Sequence, residues 1–293
     1  MHLILAGLLA VASLFPLPKP DATFTSGSIH VSQFGNSGKP LIFIPGLGCG
    51  PWSWSEQIAH FSKNHTVYAL TLTGFDGTTY EPAGDLFATF QDDFWFMLNT
   101  KHIEKPIVIG HSLGGTLAFA LSETHPEKLA GAIALDGLPV FPTAAMSTST
   151  QRYGIANQVE AQIDGQSKDQ YAAYETQFMK SIGVVNQDLV APSVALELTS
   201  DQKAVGAWMA QDLRHDLRPD LAKMKLPFLE LLPYAPGSQF SEEQTLGFYK
   251  ALVNGAPSID VTVIKPARHF AMLDQPQAVD DALAKFMATL PGS

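Results

Sequence analysis

The sequence predicts an α/β protein: one mostly parallel sheet with helices on both faces and a helical insertion over one edge. Three observations predict it. Short apolar runs of strand length alternate with helical patterns up to about residue 138 and again from about residue 223. Gly110-His111-Ser112-Leu113-Gly114 stands between an apolar run, 107–109, and a helix-like one, 116–121. Residues 139–222 break the alternation with helical patterns and no clear strand pair.

The elements follow in order. Residues 3–15 are apolar and are then broken by Pro16, Pro18 and Pro20. This reads as the hydrophobic part of a secretory signal within a segment 1–22. His2 is the only basic side chain before it, and no A-x-A cleavage site follows. A retained anchor and an ordinary N-terminal segment stay open, and the stretch is short for a full membrane span. The expected location is periplasmic or secreted, or cytoplasmic if the stretch is no signal. Residues 28–34 alternate like a strand and end in the turn-rich Gly35-Asn36-Ser37-Gly38. Residues 41–44 form a short buried strand ended by Pro45-Gly46. Helices are predicted at 52–61 and 85–98, the second with a buried aromatic side, and strands at 66–72 and 107–109. A helix after Ser112 stops near Pro126, and 131–135 is the next strand, followed by Asp136-Gly137. In the insertion, 168–180 and 202–213 read as helices. Strands at 227–232 and 259–264 and a closing helix at 277–290 complete the pattern. The organisation is therefore a core of 23–138 and 223–293 with a cap of 139–222.

At 293 residues and 46% hydrophobic, the chain can bury a substantial core. Lys plus Arg is 18 against Asp plus Glu 28, a formal charge of -10. That balance opposes nonspecific polyanion binding, and no basic cluster points to nucleic acid. Cys49 is the only cysteine, so an intrachain disulfide is excluded. It stands beside a Gly-rich loop, where either a covalent role or a small packed residue fits. No H-E-x-x-H motif, histidine cluster, calcium loop or full dinucleotide fingerprint occurs. No metal or organic cofactor is expected; the expected partner is a small acyl substrate, and oligomeric state stays open.

The chemistry resides in three pieces. G-x-S-x-G between a strand and a helix exposes a serine hydroxyl on a sharp turn, which makes Ser112 the candidate nucleophile. A serine needs a base to take its proton, and His269, in a loop after the last predicted strand, is the candidate. A carboxylate must orient that imidazole. Asp136, directly after the strand that follows the nucleophile helix, preserves the order Ser–acid–His. The later region 226–240 contains no Asp. Glu230, Asp201 and Glu242 remain alternatives, as does an incomplete triad. The backbone N–H groups of Leu113 and Leu47 are the candidate oxyanion donors, with Gly46 and Gly48 permitting the approach. His111 is expected to shape the elbow or pocket. Phe141, Met146, Met179, Trp208 and Met209 are candidate pocket residues of the cap, although such side chains equally pack ordinary helical cores.

Residues 45–48, 110–114 and His269 resemble the alpha/beta-hydrolase family, in order, across about 38–290. The nearest resemblance is to a bacterial branch of esterases and other small-molecule acyl hydrolases, which 70–75 and 216–221 also resemble. The resemblance implies an eight-strand core, whose first strand can be missing or altered, and a helical cap. It carries nucleophile and base to Ser112 and His269. The family's common acid position, after the penultimate core strand, has no match here; some members place the acid after the earlier strand, which supports Asp136. The expected reaction is hydrolysis of a small or medium carboxylic ester through an acyl-serine. Thioester, lactone, amide and carbon–carbon hydrolysis and perhydrolysis stay open, and so does a noncatalytic small-ligand receptor.

Overall fold

The structure is a computed structural model that describes residues 14–82 and 84–291. The signal-or-anchor expectation for 1–22 thus falls largely outside the described residues. Phe15 is buried against Trp52, with ring centroids 5.3 Å apart.

Eight strands form one sheet: β1 (Ala22–Ser26), β2 (Ile29–Phe34), β3 (Pro40–Ile44), β4 (Thr66–Thr71), β5 (Ile107–His111), β6 (Gly131–Leu135), β7 (Phe228–Pro233) and β8 (Ile259–Ile264). Their spatial order is β1-β2-β4-β3-β5-β6-β7-β8. β2 runs antiparallel to both β1 and β4, and every other pair is parallel. The expected fold class is therefore the observed one. The first strand is not missing: β1 is the outer half of a hairpin turned at Gly27-Ser28, with Ser26 opposite Ile29. Asp93 accepts from the Ser28 backbone N–H and hydroxyl at 2.7 Å, and its carboxylate fills the space a side chain on Gly27 would need.

The central strands are apolar on both faces because helices cover both. Ile42, Ile44, Val108, Ala132 and Ala134 belong to one buried cluster, and Leu41, Phe43, Ile107, Ile109, Ile133 and Leu135 to the other. This two-residue alternation is the pleat of the strand. Helices α1 (Ser55–Phe61), α2 (Leu86–Thr100) and α3 (Leu113–Thr124) follow β3, β4 and β5. Phe90 and Phe94 of α2 and Leu117 and Leu121 of α3 join the first cluster, and Ile58 and Phe61 of α1 the second. Full burial of one such side chain is worth roughly 1.5–3 kcal/mol.

Between β6 and β7 the chain builds α4 (Ser149–Asp164), α5 (Lys168–Phe178), a π-helical turn (Met179–Gly183), α6 (Val190–Glu197) and α7 (Gln202–Arg214). Thr148 with Gln151 and Ser167 with Gln170 form capping boxes, which start α4 and α5 where they do. The insertion joins the core at a narrow neck. Val140 bridges to Asp216, and the Leu217 N–H donates to the Pro139 carbonyl at 2.7 Å. Arg218 at 2.8 Å and Arg152 of α4 at 3.3 Å pair with Asp216, and Arg218 holds that carboxyl below its ordinary range. After β7 come α8 (Glu242–Leu252), the short α9 (Ala271–Asp274) beyond β8, and α10 (Pro276–Thr289). Leu283 and Phe286 of α10 close the second cluster.

Candidate active site

The turn from β5 to α3 is made by small residues because nothing larger fits. Ser112 itself has φ 53° and ψ -120°, a conformation that L side chains rarely adopt. A Cβ on Gly110 would stand 2.0 Å from the Gly114 carbonyl oxygen, and one on Gly114 would stand 2.4 Å from that of Ile44. Hydrogen bonds lock the turn. The Ser112 N–H donates to Leu135 at 2.9 Å, and the Ser112 carbonyl accepts from Gly115 at 2.8 Å and Thr116 at 3.0 Å. Helix α3 begins at Leu113, so the first N–H groups of the helix lack a carbonyl one turn back.

Asp136 ends β6 in a second strained turn, φ 51°, with its N–H donating to Leu231 of β7 at 2.9 Å. Its Oδ2 lies 2.5 Å from His269 Nδ1. Its Oδ1 accepts from the Tyr249 hydroxyl of α8. Sequence reasoning missed Tyr249, because a tyrosine inside an amphipathic helix carries no local sign of such a partner. The alternative acids lie elsewhere. Glu230 is fully buried within β7, beside the backbone of Asp136 and Gly137. Burial, with Asp136 nearby, pushes its carboxyl well above the ordinary range. Asp201 caps α7, accepting from Lys203 and Ala204 at 2.8 and 3.2 Å, and Glu242 pairs with Lys265 at 2.7 Å.

His269 is pinned through its backbone. Its N–H donates to Ile182 at 3.1 Å, and the Phe270 N–H to Gly183 at 2.9 Å, so the π-helical turn of the cap holds this loop. His111 Nε2 donates to the His269 carbonyl at 2.9 Å. His111 is fully buried, and burial first, then His269, pushes its imidazole well below the ordinary range. The ring is therefore neutral, with the proton assigned to Nε2 by that bond. Gly46 presses on the same ring, since a Cβ there would meet His111 Nδ1 at 2.7 Å. The Gly48 carbonyl accepts from the Ser200 hydroxyl at 2.8 Å, which ties the Gly-rich loop to the cap. Leu47, Ser112, Leu113, Asp136 and His269 all line one cavity of about 430 Å³.

A family model described as "alpha/beta hydrolase fold" matches residues 39–181. The chain has the alpha/beta-hydrolase fold. Its match to the (E)-2-((N-methylformamido)methylene)succinate hydrolase of Acinetobacter baylyi is 29% identical over 115 residues, 39% of this chain and 44% of that protein. Its match to the (lyso)-N-acylphosphatidylethanolamine lipase of Homo sapiens is 30% identical over 142 residues, 45% of this chain and 40% of that protein. These matches thus span less than half the length of the curated relatives. A thermophilic esterase from Thermogutta terrifontis superposes with a TM-score of 0.71 at 19% identity, over 91% of this chain and 98% of that one; this is likeness of fold.

The cavity corrects part of the expected lining. Phe141, Met209 and His111 line it. Met146 does not: it lies between the turn after Phe141 and the capping box of α4 and is 96% exposed. Met179 is fully buried in the cluster that holds Val184 and Val190. Trp208 points from α7 into the core, its Nε1 donating to Thr73 at 3.3 Å between the rings of Phe75 and Phe87. In their place α5 contributes Tyr171, Tyr174, Glu175 and Phe178. Among the described residues no group of three or more His, Cys, Asp or Glu could hold a metal ion. Among those residues no helix is long and apolar enough to cross a membrane.

Proposed function

We propose that this protein hydrolyses small or medium carboxylic esters through an acyl-serine on Ser112. One observation carries the reading: His269 Nδ1 is held at 2.5 Å by Asp136, while the same imidazole lines the cavity into which the strained Ser112 turn opens. With Nδ1 occupied, Nε2 is the nitrogen free to exchange a proton.

In this mechanism His269 Nε2 takes the Ser112 proton as Oγ attacks the acyl carbonyl. Asp136 fixes the tautomer and stabilises the imidazolium that forms. The N–H groups of Leu47 and Leu113 receive the oxyanion, each such donor being worth roughly 3–4 kcal/mol. His269 then protonates the departing alkoxide, leaving the acyl-serine. It next deprotonates a water molecule, whose attack releases the acid and frees Ser112.

Ser112→Ala, assayed on a panel of activated esters, thioesters, lactones and amides, tests this reading. Loss of ester turnover in a folded variant is expected, and unchanged turnover rejects it. A noncatalytic receptor would bind ligand without turnover or burst. We also infer export, on the strength of the apolar run 3–15 and the three prolines that follow it. N-terminal sequencing of protein from the periplasmic fraction tests that: an intact Met1 contradicts cleavage.

A further inference from the structure

The cavity that holds Ser112 carries more acid than ester hydrolysis uses. Three carboxyl side chains of the cap line it, Glu175 of α5, Glu197 of α6 and Asp212 of α7, and among the described residues no Lys or Arg does. Glu197 is 4% exposed and its Oε2 has no hydrogen-bond partner. Its other oxygen meets only the Cys49 thiol, at 3.7 Å. Asp212 is 7% exposed, and its Oδ1 is likewise unpartnered. The neighbouring Thr116 hydroxyl gives its one proton to the Leu138 carbonyl at 3.0 Å and has none left for Asp212.

Buried acceptors without donors are rare in folded proteins, so a set of them around a cavity specifies what should enter. The missing chemistry is an N–H donor with positive charge. An alkyl chain would leave these oxygens unpaired, and an anion would add like charge once any of them ionised. Tyr171, Tyr174 and Phe178 accompany Glu175 along α5 and offer ring faces suited to a cation.

We propose that the cavity selects esters bearing a protonated amine or a similar N–H-rich cation, held chiefly by Glu197 and Glu175. The proposal rests on the serine-ester reading of the same cavity. Asp212 supplies a second acceptor on the cap wall. Burial pushes Glu197 well above the ordinary carboxyl range, and Glu175 adds to it. Burial raises Glu175 too and pushes Asp212 up to about 7. Cys49, Tyr171 and Tyr174 are the other titratable groups facing the pair, Tyr171 as a hydrogen-bond partner of Glu175, with Asp76 beside Cys49; Asp136, Asp212, His111 and His269 share the cavity. None of these brings a fixed positive charge. Entry of an ammonium ion therefore ionises a carboxyl, and the proton leaves to solvent.

Two matched ester pairs test the proposal from both sides of the scissile bond. One pair is 4-(aminomethyl)phenyl butyrate and 4-ethylphenyl butyrate; the other is phenyl 6-aminohexanoate and phenyl heptanoate. In at least one pair the cationic ester should have a kcat/KM about tenfold above its neutral isostere, the scale of one charge-assisted hydrogen bond. Glu197→Gln should bring that ratio near unity in protein that still reacts with a fluorophosphonate. Calorimetry with benzylammonium chloride should give a binding heat that varies with the ionisation enthalpy of the buffer, the sign of a released proton. Equal or better turnover of the neutral ester in both pairs overturns the proposal, as does a cation preference that survives Glu197→Gln. If Glu197→Gln does not fold, the wild-type ratio and the buffer dependence decide. If no ester is cleaved and Ser112 takes no label, the serine-ester reading fails instead. Benzylammonium calorimetry then decides the cation site alone, and absence of binding or of proton release overturns it.

Discussion

Replacing Asp136 by Asn probes the proposed acid through a constraint that only the folded chain reveals. The Tyr249 hydroxyl has one proton and gives it to Asp136 Oδ1, so that position must accept. The other oxygen faces His269 Nδ1 at 2.5 Å. An amide at residue 136 has one acceptor and one donor end. Keeping its oxygen toward Tyr249 turns its NH2 toward Nδ1, which selects the tautomer that cannot accept the Ser112 proton. The tautomer error costs about 10,000-fold in kcat where it has been isolated, close to 5.4 kcal/mol at about 1.36 kcal/mol per tenfold. Asp136→Asn should therefore lower kcat by about 1,000- to 10,000-fold. Tyr249→Phe alone removes one hydrogen bond to a charged acceptor, worth roughly 1.5–3 kcal/mol at most, and should cost about tenfold. Combining the two frees the amide to turn its oxygen to Nδ1–H. The double variant should recover about tenfold or more over Asp136→Asn, against the additive expectation for independent sites. The assay is kcat on p-nitrophenyl butyrate, normalised by active-site titration, with thermal melts to show folding. Asp136→Asn within about threefold of wild type, or a double variant slower than Asp136→Asn, would refute this reasoning.

Three other outcomes follow from the same contacts. Gly110→Ala puts a Cβ 2.0 Å from a backbone oxygen of the elbow, so urea unfolding should show a loss of about 3 kcal/mol or more; a loss under about 1 kcal/mol contradicts the packing. Burial, with Asp220 adding and Lys223 opposing, pushes the Glu123 carboxyl from 4.5 up to about 8. The folded chain thus keeps a proton that the unfolded chain releases, and stability falls as pH rises from 4.5 to about 8. Glu123→Gln should flatten that decline in urea midpoints measured across the same window, and an unchanged decline would assign it elsewhere. Met146→Ala, at a side chain 96% exposed, should leave kcat/KM within about twofold, whereas Met209→Ala, on the cavity wall, should raise KM several-fold.

The parts of the fold that were legible in the sequence are those whose cause is local. The strand 41–44 announces itself because both its faces are buried, and the elbow because Gly110 is dictated by a contact with Gly114 inside the same turn. β1 does not, since an edge strand reading Ala-Thr-Phe-Thr-Ser is largely exposed and has no apolar run. In the cap, the pattern of α7 shows an amphipathic helix but not what each flank meets. Trp208 and Met209 are adjacent, yet one enters the core and the other the cavity. Met146 is apolar yet exposed, which composition alone does not distinguish from a lining residue. Chain order and the lack of any Asp in 226–240 point to Asp136 as the candidate acid. Its second partner, Tyr249, lies 113 residues away, and only the packing of α8 brings them together. Glu197 likewise reads as the end of an ordinary helix until the cavity beside it is seen.

The measurement that bears most directly on the proposed chemistry is intact-mass and peptide mapping of the protein after reaction with a fluorophosphonate. One equivalent should attach, mapped to Ser112, absent in Ser112→Ala and greatly slowed in Asp136→Asn. A folded protein that takes no label, or takes it at another residue, would contradict a nucleophilic Ser112.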